Sequence, residues 1–128
     1  MRSVNSRRRM ERDVAMPRRS SPYRTFGISV VQSRDELAVV VVGELDLASA
    51  PRLGVEVAEA LKTSSTRITL DLRQVDFIDS TGLRMLLSLR NDAKRNDHAL
   101  TLVPPAPAAR RIFELTGTRG LFDWLDAD

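Results

Sequence analysis

The stretch LAVVVVGELD, Leu37 to Asp46, sets four consecutive valines ahead of a glycine, and so dense a β-branched run favours a strand over a helix. Upstream of it Phe26, Ile28 and Val30 alternate, so the two segments read as strands joined around Ser33-Arg34-Asp35-Glu36 in a hairpin, with Gly43 ending the second. Helix and strand patterns then take turns. LASAPRLGVEVAEALKTS has Ser49 as candidate N-cap, Pro51 in the first turn, and Leu53, Val57 and Leu61 spaced by four. RITLDL is of strand length, and a helix from Thr81 to about Arg95 carries Leu83, Leu86 and Leu87, with Met85, Leu89 and Ala93 widening the apolar arc. HALTLV is a further strand stopped by PPAP. AARRIFELTG is a helix with Ile112, Phe113 and Leu115 inward and Gly117 as its C′ residue, and LFDWL is a last short apolar element. The order β-β-α-β-α-β-α-β predicts an α/β fold: a mostly parallel sheet of about four to five strands, an antiparallel first hairpin, and helices packed on it.

The 128 residues suit one domain with its own core. No apolar run approaches the roughly 18 to 20 residues that cross a bilayer, and the N-terminus lacks a signal-peptide core, so a cytoplasmic chain is expected. Without cysteine there is no disulfide framework and no thiolate ligand, and the single His98 leaves little for zinc; no metal or cofactor is expected. The net charge of +3 is uneven: residues 1–24 carry eight arginines against Glu11 and Asp13, a net +6, whereas the remainder is net −3. The basic character belongs to an extension, expected to be disordered, while residues 25–128 form the domain. The extension reads as a solvated tail, with Met10 or Met16 as alternative starts. An arm touching nucleic acid or membrane is the sharper reading, but it lacks interleaved aromatics apart from Tyr23.

The octapeptide DFIDSTGL, Asp76 to Leu83, joins strand to helix. Ser80 is the economical N-cap, Gly82 permits close approach of another backbone, and alternation puts Phe77 and Leu83 in the core. A nucleophile elbow would need Gly-x-Ser-x-Gly, but Ile78 stands two residues before Ser80 and no histidine base is near. Asp71, Asp76 and Asp79 lack the P-loop or second acidic cluster of a magnesium site, and Asp71 reads as facing a solvated edge. A hydroxyl at a helix N-terminus is also accessible, and there the free N–H groups and the macrodipole tolerate a phosphate.

VVGELDLASAPRL, ITLDLRQVDFIDSTGLRMLLSL and LTLVPPAPAARRIFELTGTRGLF together resemble the bacterial anti-sigma factor antagonists built on the STAS domain, over Phe26 to about Leu125. The resemblance implies a single STAS domain and a partner-switching protein in place of an enzyme. The unphosphorylated form would bind an anti-sigma factor that is a serine kinase of the histidine-kinase-like ATPase fold, freeing a sigma factor. Phosphorylation in the D-S-[ST]-G-L motif would break that complex and a PP2C-type phosphatase would restore it. Carried onto this chain, Ser80 is the acceptor and Thr81 the secondary candidate, with Asp79, Gly82 and the loop Gly43, Glu44, Leu45, Asp46 as the docking surface. No direct contact with nucleic acid or membrane is implied. The alternative within the family is a STAS scaffold or accessory subunit that is not phosphorylated, for example in a lipid-transport complex. Nucleotide hydrolysis at the same surface is a residual possibility for which the sequence supplies no base. The chain departs from the pattern in its arginine-rich extension and in ending where a C-terminal helix would follow, which would leave one flank of the sheet uncovered or covered by the tail.

Overall fold

The computed structural model describes residues 25–62 and 65–125; the expected disorder of residues 1–24 and the covering of a flank by that tail lie outside them. Among the described residues five strands, β1 (Gly27–Gln32), β2 (Glu36–Leu45), β3 (Arg67–Ile78), β4 (Ala99–Val103) and β5 (Asp123–Trp124), form one sheet in the order β1-β2-β3-β4-β5. β1 pairs antiparallel with β2 and every other pairing is parallel. Helices α1 (Ala50–Ala60), α2 (Ser80–Arg95) and α3 (Pro107–Thr116) fill the three crossovers, in the element order expected from the sequence.

Because each crossover moves one strand in the same direction and such connections are right-handed, all three helices fall on one face of the sheet. Burial follows that geometry. Along β2 the residues Leu37, Val39, Val41 and Leu45 are buried beneath the helices, while Glu36, Ala38, Val40, Val42 and Glu44 point the other way and stay half-buried. The helices answer with Leu53 and Val57 from α1, Leu83, Leu86 and Leu89 from α2, and Ala109 and Phe113 from α3. Phe113 meets Phe122 and Trp124 edge-on at 5.6 and 5.1 Å between centroids, so the short last element closes the far end of the core.

Three expectations change. Leu115 is 79% exposed. At about 100° per residue it lies roughly 200° around α3 from Phe113, so the two cannot both face the core. The third strand does not stop after Leu72 but runs to Ile78, and it carries Asp71 at the sheet centre instead of at an edge. Asp71 is held there by Arg73, whose Nε and Nη2 donate to its carboxylate at 3.0 and 2.7 Å and whose backbone N–H donates at 3.0 Å.

The Arg73 side-chain hydrogen bonds hold the Asp71 carboxyl below its ordinary value, against the opposing effect of partial burial. A depressed folded-state pKa contributes stability above the unfolded value of about 3.9, and that contribution disappears as pH falls through the folded value. Asp71→Asn should therefore be slightly less stable than the parent at neutral pH, as for a surface ion pair. The two should converge near about pH 2 in urea unfolding, and a difference that persists there would contradict the assignment.

Candidate functional site

β3 ends with Ile78 opposite Leu45 of β2, and Asp79 then leaves the ladder in an extended conformation, φ −99° and ψ −174°. Its Oδ1 accepts the Gly82 N–H at 2.9 Å and its carbonyl accepts the Leu83 N–H at 2.9 Å. Asp79 is thus the N-cap of α2, and the expected capping role of Ser80 is corrected: Ser80 is the first helical residue. From that position a side chain cannot reach back to the orphan N–H groups. Its hydroxyl is exposed and makes no hydrogen bond with any described residue, and Thr81 is half-buried beside it.

The Leu45 carbonyl ties this corner to the neighbouring one. It accepts the Asp79 N–H at 3.2 Å, and a Cβ at Gly82 would overlap the same oxygen. Only glycine allows the first turn of α2 to lie on the end of β2, as its place in the octapeptide suggested. Beyond Leu45 the turn into α1 is self-bonded. Asp46 Oδ1 accepts the N–H groups of Ala48 and Ser49 at 3.0 and 3.1 Å, and the Ser49 hydroxyl donates to the Glu44 carbonyl at 2.6 Å while accepting the Asp46 N–H at 2.9 Å. Ser49 holds the N-cap position expected of it without making a side-chain cap bond.

The structure brings Glu44, Leu45, Asp46, Asp79, Ser80, Thr81 and Gly82 to one edge of the sheet, at the C-terminal ends of β2 and β3. Gly43, Glu44 and Leu45 belong to β2 itself and not to a loop. Gly43, buried with φ 104°, lets the strand continue through a register shift. That shift and another between Val40 and Val42 let the twelve residues of β3 run beside the ten of β2. The shift between Gly43 and Glu44 also corrects the placement of Phe77 on β3. Its core-facing residues fall at Ile68, Leu70, Leu72, Val75 and Ile78, so Phe77 pairs with Glu44 on the helix-free face and is 47% exposed, while Leu83 is buried as expected. Leu47, 73% exposed in the β2–α1 turn, is a second apolar side chain at this edge that the periodicity did not single out.

None of Glu44, Asp46, Asp76 and Asp79 makes an ion pair with a described residue, so the corner is acidic around the positive end of α2. Among the described residues no group of three His, Asp or Glu side chains could hold a metal ion, and no helix is long and apolar enough to cross a membrane.

A family model described as "Mlab, STAS domain" matches residues 28–123. The chain is 30% identical over 86 residues to BtrV of Bordetella bronchiseptica, covering 67% of this chain and 74% of that protein. It is 34% identical over 84 residues to the anti-sigma-B factor antagonist of Staphylococcus aureus, covering 65% and 77%. The crystal structure of an anti-sigma factor antagonist from Mycobacterium paratuberculosis is similar with a TM-score of 0.69 at 25% identity, covering 80% of this chain and 87% of that one.

Substitutions separate the roles at the corner. Asp79→Ala should cost about 1 kcal/mol through the lost cap, and Ser80→Ala less than about 0.5 kcal/mol. Gly82→Ala gains about 1 kcal/mol of helix propensity but must displace the Leu45 carbonyl, for a net loss of about 2 kcal/mol. Urea unfolding followed by Trp124 fluorescence checks the ranking, and a costly Ser80→Ala would return the cap to the serine.

Proposed function

The chain belongs to the STAS domain family, and from that premise we propose that it is an anti-sigma factor antagonist, a cytoplasmic binding module without catalytic activity, switched at Ser80. The unphosphorylated form docks through the edge formed by Glu44, Asp46, Asp79, Ser80, Thr81 and Gly82, shaped by buried Gly43, onto an anti-sigma factor that is a serine kinase of the histidine-kinase-like ATPase fold. Docking releases a sigma factor. The kinase phosphorylates Ser80, the complex parts, and a PP2C-type phosphatase resets the chain.

The observation that carries this reading is the freedom of the Ser80 hydroxyl: it is exposed at the first position of α2, and Asp79 does the capping. A phosphate there meets the positive end of the helix, so the fold tolerates a charge of about −1.5 to −2. The partner meets that charge beside Asp79. A partner carboxylate brought to about 6 Å from the phosphate is repelled, at an effective dielectric near 20, by on the order of 3 kcal/mol, enough to weaken the complex about a hundredfold.

Kinase and ATP should add one phosphate, located at Ser80 by mass spectrometry. Ser80→Ala should bind the kinase with or without ATP, and Ser80→Asp should bind more weakly by up to about a hundredfold. A chain left unmodified by the ATPase-fold kinases of its own genome, yet recovered in a pulldown with a transporter ATPase, would establish the accessory-subunit reading instead.

A further inference from the structure

The helix-free face of the sheet is uncovered by any described element, although it carries Val31, Val40 and Val42 on β1 and β2 and Phe77 on β3. Val31 is 61% exposed. Glu44 lies on the same face, opposite Phe77 and without an ion pair. We propose that residues 1–24 of this chain occupy that face.

Topology delivers the segment to the right place. β1 is the edge strand, and its first residue, Gly27, pairs with Val42, so the chain arrives at the sheet edge that bears Glu44, Phe77 and the start of α2. Ser20-Ser21-Pro22 is a turn signal just ahead of that entry, where a reversal is needed to lead back across the sheet. Twenty-four residues at up to about 3.3 Å each exceed by far a five-strand width at about 4.8 Å per strand.

Chemistry matches as well. The segment is net +6 and the rest of the chain net −3, and between its arginines it holds Val4, Met10, Val14, Met16 and Tyr23 to lie on valines and a phenylalanine. A tethered segment acts at an effective concentration of about millimolar, which favours it over a second copy for a face of this modest apolar content. Occupancy would also set what an incoming partner meets beside Ser80, a consequence that rests on the partner-switching reading, whereas the contact itself does not.

The chain has no cysteine, so Ser6→Cys in the full chain accepts a single nitroxide label, far enough along the segment from Gly27 that the tether alone does not hold it beside Val42. At low salt the amide signals of Val40, Val42 and Phe77 should lose about half their intensity or more, and that of Asn91 on the outer side of α2 should not. The loss should reverse in about 1 M salt, where the Debye length is about 3 Å, and in R18Q/R19Q/R24Q. Loss that is absent, equal on both sides of the molecule, or indifferent to salt and to the arginine substitutions would overturn the proposal. So would the same loss in an isotope-labelled copy mixed with a spin-labelled one, which would give the face to a second copy. If the contact is found and Ser80 takes no phosphate, the partner-switching reading fails alone.

Discussion

The Leu45 carbonyl is the point on which the edge bearing Ser80 turns. One oxygen accepts the Asp79 N–H and leaves room above it only for a glycine, so backbone atoms hold the ends of β2 and β3 and the start of α2 against one another. Backbone contacts are indifferent to what the neighbouring side chains carry. Ser80 can therefore project into solvent, with Asp79 making the cap and Leu83 and Leu86 anchoring the helix in the core. A surface so held can change its charge without changing its shape, which is what a switch read by a partner requires.

The same economy governs the sheet. Strands in sequential order with right-handed crossovers concentrate every helix on one face, and the core is a single layer between that face and α1, α2 and α3. The aromatic cluster of Phe113, Phe122 and Trp124 closes it at the β5 end, where the strand is only two residues long. What this arrangement cannot do is bury both faces, and alternation along β2 leaves Ala38, Val40 and Val42 half-covered. The face without helices and the edge bearing Ser80 are thus two products of one topology, and they meet at Glu44 and Phe77.

Much of this is legible in the sequence. Valine density, the four-residue spacing of Leu53, Val57 and Leu61, and Gly117 as a helix stop follow local rules that tertiary structure obeyed, and Gly117 adopts φ 71° as that role demands. Phe77 reads as core when a period of two is counted from Val75; the shift between Gly43 and Glu44 reverses that count, and Arg73, Gln74 and Asp76 hide the continuation of β3. In Asp79-Ser80 either residue has capping chemistry, and only the register of β3 against Leu45 decides which one is the last extended residue. Leu115 is apolar enough to suggest the core, although its angle to Phe113 forbids it. The glycine of the octapeptide was readable as a close approach, but its partner, a carbonyl 37 positions earlier in the chain, was not.

The separation of fold from docking is the central claim, and the stability of the phosphorylated chain tests it most directly. Urea unfolding of the Ser80-phosphorylated and unmodified forms, compared at the same pH and salt, should give free energies within about 0.5 kcal/mol of each other. A loss of more than about 2 kcal/mol on phosphorylation would mean that the phosphate acts by breaking the corner around Leu45 and Gly82, and would contradict a switch that changes charge while preserving shape.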